Sequence, residues 1–541
     1  MQVGYTASLY ERDAVTGGVW IMNKIIEKLK ETARKYPDRT AFADPSASVS
    51  FAKLKDMTDR IATLLLQGSV CTPFRTGTPA AFYMEKSTPA VCALFGVIRA
   101  GGFYSFIDVR QPAERAFNVI SVLDPPIIIT DEENREALEG ILNYVNKADP
   151  YSPALKPSVI MISELIDKAE TLDPDEALLT DADKSAFDLM PLYVNFTSGS
   201  TGTPKGVAVG QNSVVDFINE FTKVFDITSE DVIANQAPFD FDVSVKDIYS
   251  GIFTGARVQL IPREYFSNPT RLMDYLTDNK ITTIIWAVSA MCFVSIMNGL
   301  DYKTPENLNK IMFSGEVMPV KHLNKWRQYL PDATYVNLYG PTEITCNCTY
   351  FILDREYKKD EIIPAGIPFD NEKVFLLDDN DDLVEGTDEE GEICVGGSCL
   401  ALGYYRDKEK TDLAFVQNPL NSSFYERIYR TGDIGRYDEE GNLIYVSRKD
   451  FQIKHMGQRI ELGEIEVSAM SVDGVSRACC TYDQKKKRIN LYYTGETEKE
   501  ELVSALQEKL PQFMVPGRTL RLDEMPLNKN GKIDRNALSA M

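Results

Sequence analysis

A short segment rich in glycine, hydroxyl side chains and one lysine carries the strongest chemical signal in this chain of 541 residues. It runs from Gly199 to Gly206 and follows the apolar run Tyr193–Phe196, which predicts a strand that ends in a loop. Glycines let backbone N–H groups approach an anion, hydroxyls donate further hydrogen bonds and Lys205 adds a positive charge, so the loop suits a triphosphate. It is not the Walker A loop of kinases and ATPases, because Pro204 and Gly206 stand where that pattern needs glycine and Ser or Thr. A plain polar surface loop would have the same composition, so this segment alone leaves both interpretations open.

Four further motifs follow the loop and favour the nucleotide interpretation. They are Asn337–Glu343 (NLYGPTE), Tyr429–Asp433 (YRTGD), Arg448–Asp450 (RKD) and Asn530–Arg535 (NGKIDR). Together with the loop they match, in order, the motifs of the adenylate-forming enzymes, and the resemblance spans residues 22 to 541. The chain resembles the amino-acid adenylation enzymes of the nonribosomal-peptide-synthetase type, and within that group the D-alanine–carrier protein ligases.

The resemblance implies an activity and its cofactors. An amino acid would be activated with ATP as aminoacyl-AMP, with release of pyrophosphate, and passed to the phosphopantetheine thiol of a separate carrier protein. Lys532 would bridge the substrate carboxylate and the α-phosphate, where negative charge accumulates, and Glu343 would bind Mg²⁺ as a hard oxygen ligand. The residues expected to bind the phosphates are Thr197, Ser198, Gly199, Ser200, Thr201, Gly202 and Lys205. The residues expected at adenine and ribose are Asn337, Tyr339, Gly340, Thr342, Asp433 and Arg448.

The substrate class depends on Asp242. By the resemblance, this carboxylate would bind the α-ammonium of an amino acid, a charge-assisted pair that fatty-acid and aryl-acid ligases do not need. The side-chain pocket would comprise Val243, Lys246, Met312, Ser314, Leu338, Cys346 and Asn347. Two of these depart from the D-alanine ligases, where a neutral side chain would replace Lys246 and a cysteine would replace Ser314. Lys246 indicates an acidic or polar substrate side chain if it points into the pocket, and indicates nothing if it extends to solvent.

The elements that must position these residues follow from periodicity. Apolar residues recur at helical spacing over Met22–Tyr36 and predict an amphipathic helix that Pro37 ends. Short apolar runs at 126–130, 282–286 and 334–337 alternate with helical stretches, which predicts α/β layering with largely buried strands. The resemblance implies a multi-domain α/β protein with the adenylate-forming enzyme fold. The acidic stretch Asp378–Glu390 is expected to join two strands at the surface.

The domain boundaries come mainly from the resemblance. Residues 1–21 form an N-terminal extension, residues 22–449 a large domain for ATP and the amino acid, and residues 450–541 a small, mobile α+β domain that carries Lys532. Asp450 would be the hinge between the two domains. Only six residues follow Arg535, and no stretch after Lys532 offers the serine-containing motif of a carrier domain, so the carrier is expected to be a separate protein.

Composition narrows the possible partners. The net charge is −22, from 58 Lys and Arg against 80 Asp and Glu, which argues against nucleic acid or an anionic membrane as partner. No apolar run is long enough to span a bilayer and no signal peptide is recognisable, so a cytoplasmic monomer is expected. Nine cysteines lack zinc-binding spacing and only two histidines are present, so buried, reduced thiols are expected. An acyl- or aryl-CoA ligase and a non-catalytic nucleotide-binding protein remain the alternative functions.

Overall fold

The computed structural model describes residues 24–144, 155–198, 204–358, 361–387, 389–449, 452–527 and 533–541. The strands in these ranges are β1 Thr40–Ala43, β2 Ser48–Ser50, β3 Pro79–Tyr83, β4 Phe103–Phe106, β5 Ile127–Thr130, β6 Ser158–Met161, β7 Pro191–Thr197, β8 Lys205–Gly210, β9 Val232–Asn235, β10 Arg257–Leu260, β11 Thr283–Ala287, β12 Lys310–Ser314, β13 Thr334–Tyr339, β14 Thr349–Leu353, β15 Ile367–Pro368, β16 Glu372–Leu377, β17 Leu383–Val384, β18 Gly391–Gly397, β19 Gly403–Tyr404, β20 Phe415–Gln417, β21 Arg427–Tyr437, β22 Leu443–Arg448, β23 Gln452–His455, β24 Gln458–Glu461, β25 Val475–Asp483, β26 Arg488–Gly495 and β27 Arg518–Arg521. The α-helices are α1 Lys24–Lys35, α2 Phe51–Gln67, α3 Thr88–Arg99, α4 Ala113–Leu123, α5 Arg135–Leu142, α6 Ile162–Glu170, α7 Glu176–Ser185, α8 Gln211–Val224, α9 Val243–Thr254, α10 Pro269–Asp278, α11 Val288–Ile296, α12 Gly299–Tyr302, α13 Val320–Tyr329, α14 Lys408–Ala414, α15 Leu462–Met470, α16 Lys499–Lys509 and α17 Arg535–Ser539.

Two large, mostly parallel sheets form the scaffold of the first 370 residues. One has the strand order β19-β8-β7-β4-β3-β5-β6 and the other β15-β14-β13-β12-β11-β9-β10-β1-β2. Strands such as β5, whose residues Ile127, Ile128 and Ile129 are fully buried, have apolar neighbours on both faces, which requires layers of helices above and below the sheet. Helices α1, α2, α8 and α9 pack against one another and belong to the largest apolar core.

The remaining strands form an antiparallel sheet and a small C-terminal unit. The third sheet has the order β17-β16-β18-β21-β20, with β22 beside β21. After it come the hairpin β23–β24 and the sheet β25-β26-β27. Helices α15 and α16 pack around one apolar core of this unit, and α17 contributes Leu538 to a second, smaller one. The predicted multi-domain α/β architecture with a small α+β part is therefore confirmed.

Most elements predicted from periodicity are present. The first helix begins at Lys24 and buries Ile25, Ile26 and Leu29, and the runs at 126–130, 282–286 and 334–337 correspond to β5, β11 and β13. The acidic stretch 378–390 joins β16 to β18 and contains the two-residue strand β17. Within the described ranges, no helix combines the length and the apolar character needed to cross a bilayer. The predicted hinge Asp450 lies outside the described residues, so the domain boundary stays a prediction.

Candidate active site

The predicted phosphate site lies where β7 ends and β8 begins. Thr197 and Lys205 face each other across this strand pair, and Thr197 Oγ1 is buried without a hydrogen-bond partner among the described residues. Ser198 Oγ donates to the carbonyl of Arg459 (2.8 Å) and accepts from the amide of Glu461 (3.2 Å), so the hairpin β23–β24 of the C-terminal unit covers this strand end. Gly199, Ser200, Thr201 and Gly202 lie outside the described residues, so their roles stay predictions.

Lys205 is enclosed by aromatic and charged groups. Its Nζ lies 3.7 Å from Glu461 Oε1 and 5.2 Å from the centre of the Tyr404 ring. Burial lowers the pKa of Lys205, and the neighbouring Arg459 acts in the same direction. A cation desolvated in this way is well placed to bind an anionic oxygen, because the alternative interaction with bulk water is already lost.

Glu343 is fully buried and ionised. Its Oε1 accepts from the Tyr404 hydroxyl (2.8 Å) and its Oε2 from Arg459 Nη1 (2.7 Å). Burial alone would raise the pKa of this carboxyl group, but Arg459 and then Lys205 outweigh it and hold the pKa at about 2. An anionic oxygen donor of this kind suits Mg²⁺. The described part of the chain contains no cluster of three or more His, Cys, Asp or Glu side chains that could hold a metal ion.

Residues predicted to bind the nucleoside are joined by hydrogen bonds. The Tyr339 hydroxyl donates to Asp433 Oδ2 (2.6 Å) and Arg448 Nη1 donates to Asp433 Oδ1 (2.6 Å), which fixes both oxygens of a carboxylate that is 1% exposed. Lys454 Nζ lies 5.4 Å from the centre of the Tyr339 ring. Asn337 Nδ2 donates to the Pro364 carbonyl (2.7 Å). The structure thus brings Tyr339, Asp433 and Arg448 together, while the contacts of all the predicted residues with adenine and ribose stay predictions.

Gly340 lets the motif 337–343 pass close to the turn that contributes Cys346 and Asn347 to the predicted substrate pocket. A Cβ atom at position 340 would stand 2.5 Å from the Cα of Asn347, so only glycine allows this close passage. Thr345 and Cys346 have φ values of 57° and 79°, in the left-handed region that side chains disfavour. The Thr345 hydroxyl donates to the Cys399 carbonyl (2.6 Å) and Cys346 Sγ to the Asp242 carbonyl (3.0 Å), and these bonds hold the strained turn in place.

Asp242 stands at the N-terminal end of α9 and faces a cavity of about 560 Å³. Its side chain is 7% exposed, and burial raises the pKa of the carboxyl group despite a hydrogen bond from Thr342. The cavity is also lined by Ser198, Thr342 and Arg459. One space therefore connects the predicted phosphate and amino-acid sites.

Lys246 lies behind Asp242 and is fully buried. Its Nζ donates to Asn347 Oδ1 (2.6 Å), so the alternative in which this lysine extends to solvent is wrong. The other predicted pocket residues are buried too, and they lie on α9, on the paired strands β12 and β13, and in the turn after β13. They are Val243, Met312, Ser314, Leu338, Cys346 and Asn347. Of all the predicted pocket residues, Asp242 is the one that lines the described cavity.

Several residues of the site were missed by the sequence argument. Arg459, Lys454 and Tyr404 contact predicted site residues directly, although none belongs to a motif used above. Lys454 and Arg459 had one signal in the sequence, their position shortly after the predicted hinge Asp450, and Tyr404 had none. Lys532 lies outside the described residues; of the residues that follow it, Arg535 binds Glu466 in the C-terminal unit (2.6 Å). All nine cysteines are free thiols, eight of them buried, as predicted.

Comparison with known proteins agrees with this geometry. A family model described as AMP-binding enzyme matches residues 29–405. L-proline--[L-prolyl-carrier protein] ligase of Streptomyces coelicolor is 30% identical over 539 residues, which cover 95% of this chain and 96% of the relative. Bacitracin synthase 1 of Bacillus licheniformis is 30% identical over 522 residues, but the matched region is 95% of this chain and only 9% of that synthase. The chain thus spans a small part of several such synthases.

Solved structures share the fold. The Vibrio cholerae adenylation domain AlmE, in complex with glycyl-adenosine-5'-phosphate, matches with a TM-score of 0.77 at 19% identity. The match covers 98% of this chain and 100% of the AlmE chain. PA1221, a protein with adenylation and PCP domains, has a TM-score of 0.75 at 23% identity, over 95% of this chain and 83% of its own.

Proposed function

Because this chain belongs to the family of AMP-binding enzymes, we propose that it activates an amino acid with ATP and transfers it to a carrier protein. The product of the first step is aminoacyl-AMP, and the second step forms a thioester with the phosphopantetheine thiol of a separate carrier. One observation carries the proposal: the buried carboxylate of Asp242 faces the same cavity as Ser198, at the end of the phosphate strand. An α-ammonium group and a triphosphate can therefore be bound side by side.

The first step needs positive charge around a crowded set of anions. A carboxylate oxygen of the amino acid attacks the α-phosphorus, and the bond from that phosphorus to the pyrophosphate oxygen breaks. Lys205 and the hydroxyl groups of Thr197 and Ser198 bind the leaving phosphates. Lys532 stabilises the charge that develops on the α-phosphate, a role that rests on the family resemblance.

Glu343 is the residue that fits Mg²⁺. The carboxylate is ionised, and its present partners are the cation Arg459 and the hydroxyl of Tyr404. The ion, when bound, would neutralise phosphate charge and orient the leaving pyrophosphate. Because Arg459 donates to the same carboxylate, this arrangement suits the stage after pyrophosphate has left.

The position of the hairpin β23–β24 supports the proposed transfer step. Met456 and Gln458 line the cavity beside Asp242, so the C-terminal unit shapes the entrance through which a thiol would reach the adenylate. We assign residues 22–449 to the large domain, residues 450–541 to the small one and the hinge to Asp450. The transfer partner is a phosphopantetheinylated carrier protein, the class that the S. coelicolor relative is named for.

The amino acid itself has two candidate classes. A small one, such as D-alanine, is favoured because the cavity reaches Asp242 but is not lined by Lys246 or Asn347, which close the space behind it. An acidic or polar one is suggested by the buried ammonium of Lys246, which donates to Asn347 and lies near the carboxyl groups of Asp242 and Asp247. Such a substrate would bind there only if its carboxylate reached Lys246 from the cavity that Asp242 lines.

Amino-acid-dependent exchange of pyrophosphate into ATP, measured over the common L- and D-amino acids, decides between these classes. The Lys246→Met variant is the matched comparison, since methionine keeps the length and removes the charge. If the pocket is acidic-specific, wild type prefers aspartate or glutamate and the variant shifts toward neutral residues. A wild-type preference for alanine of either hand would exclude the acidic class.

An acyl- or aryl-CoA ligase is the alternative enzyme, because it needs the same ATP-binding residues. Solved structures of such ligases share the fold, so the fold does not discriminate. Asp242 does, since an acid without an amino group has nothing to pair with a buried carboxylate.

A further inference from the structure

Lys86 belongs to none of the motifs, yet it holds the loop that presents Asp242. It lies between β3 and α3, and its Nζ donates to the consecutive carbonyls of Asn235 (2.9 Å), Gln236 (2.8 Å) and Ala237 (3.1 Å). A fourth acceptor is Asn235 Oδ1 (2.7 Å). Three carbonyls converge on one ammonium group just where β9 ends and the chain turns toward Asp242.

Asn235, which binds Lys86, also contacts the first turns of α9. Asn235 Nδ2 donates to Asp247 Oδ2 (2.7 Å), and both residues are fully buried. The segment 235–247 is thereby fastened at its two ends, with Asp242 between them. Burial lowers the pKa of Lys86 to about 7, against the opposing effect of Asp247, so the enclosed charge is costly and must be compensated by these oxygens.

Lys86 does not line the cavity that Asp242 faces. It lies beside a small second cavity with Glu85, and Asp108 and Arg263 line both cavities. It also links the two large sheets, because β3 belongs to one and β9 to the other. The loop is the element through which Lys86 is joined by hydrogen bonds toward Asp242.

We propose that Lys86 is a positioning residue that fixes Asp242 for binding the α-ammonium of the amino acid. The proposal rests on the proposed function. Without the ammonium, the carbonyls of Gln236 and Ala237 lose a partner inside the protein, and the loop must move to find another. A displacement of Asp242 affects the amino acid and leaves the phosphate site at β7 and β8 in place.

The kinetic test uses Lys86→Met, with Lys310→Met as the control. Lys310 is another largely buried lysine, bound to both oxygens of Asp231 at 2.9 Å, and it does not line the cavity that Asp242 faces. We expect Lys86→Met to raise the KM for the amino acid by at least about tenfold and the KM for ATP by less than about twofold. The control should change neither by more than about twofold. Equal rises in both KM values, or none, would overturn the proposal.

Hydrogen exchange of the backbone amides gives a second readout that needs no substrate. In Lys86→Met, exchange should become faster in peptides that cover 235–247, while peptides from the β7–β8 region keep their wild-type rates. If wild type activates no amino acid but hydrogen exchange in 235–247 is faster in the variant, the proposed function fails and the anchoring of the loop by Lys86 stands. If Lys86→Met does not fold, Lys86→Gln replaces it, with the same expected results. Unchanged exchange in 235–247 would contradict the role of Lys86.

Discussion

We propose that Asp242 is the residue whose chemistry distinguishes an amino acid from other carboxylic acids. Its carboxylate is buried, and burial raises its pKa although the nearby cations Lys246 and Lys454 oppose the shift. A buried carboxylate of this kind is stabilised by a further cation that contacts it directly. The α-ammonium of the substrate is the partner that the cavity can admit.

The charge of Asp242 can be removed with little change of shape in Asp242→Asn. We expect a loss of about 3–5 kcal/mol in transition-state binding of the amino acid, seen as a fall in kcat/KM of about 10²-fold or more in pyrophosphate exchange. ATP binding should persist. Asp407→Asn is the control, because Asp407 also begins a helix, where it accepts from the Lys410 amide (3.0 Å), and lies outside the cavity. An equal loss in both variants would contradict the assignment.

At the scale of elements, the hairpin β23–β24 and helix α15 attach the C-terminal unit to the rest of the molecule. Arg459 pairs with Glu343, Lys487 with Glu316 (2.8 Å), and Arg115 on α4 with Glu464 on α15. The Arg115–Glu464 pair is almost completely buried, with side-chain exposures of 9% and 2%. These pairs stabilise the arrangement in which Arg459 occupies the Glu343 carboxylate.

Removal of the pair between α4 and α15 should affect the two half-reactions differently. If this arrangement serves transfer, Glu464→Gln, which removes the pair without changing a residue that lines the cavity, slows loading of the carrier by about tenfold and leaves pyrophosphate exchange within about twofold of wild type. Glu139→Gln is the control, since Glu139 makes an exposed pair with Arg135 within α5. The two rates are measured separately, as exchange and as thioester formation. Equal slowing of both would exclude a role specific to transfer.

At the scale of the whole molecule, local patterns predicted the elements and ordered motifs predicted the site. The apolar run before the glycine-rich loop became β7, and the helical spacing after Met22 became α1, because both signals lie within a few neighbouring residues. Asp433, Tyr339 and Arg448 were predicted as a group and are joined by hydrogen bonds.

What the sequence could not predict depends on contacts between distant segments. Arg459 reaches Glu343 across 116 positions, and Lys86 reaches Asn235 across 149. Neither residue has a local signature, since a lysine or arginine is solvent-exposed in most sequence contexts. The burial of Lys246 was equally undecidable, because a long cationic side chain can point inward or outward from the same helix.

We propose that the enzyme selects its acid by the α-amino group. The most direct test compares each amino acid that supports pyrophosphate exchange with the same acid lacking that group, such as alanine with propionate or glutamate with glutarate. We expect exchange with the amino acid and a rate lower by about 10²-fold or more with its deaminated analogue, because the analogue leaves the Asp242 carboxylate without its counter-charge. Comparable exchange with both would contradict amino-acid activation and favour an acyl-activating enzyme.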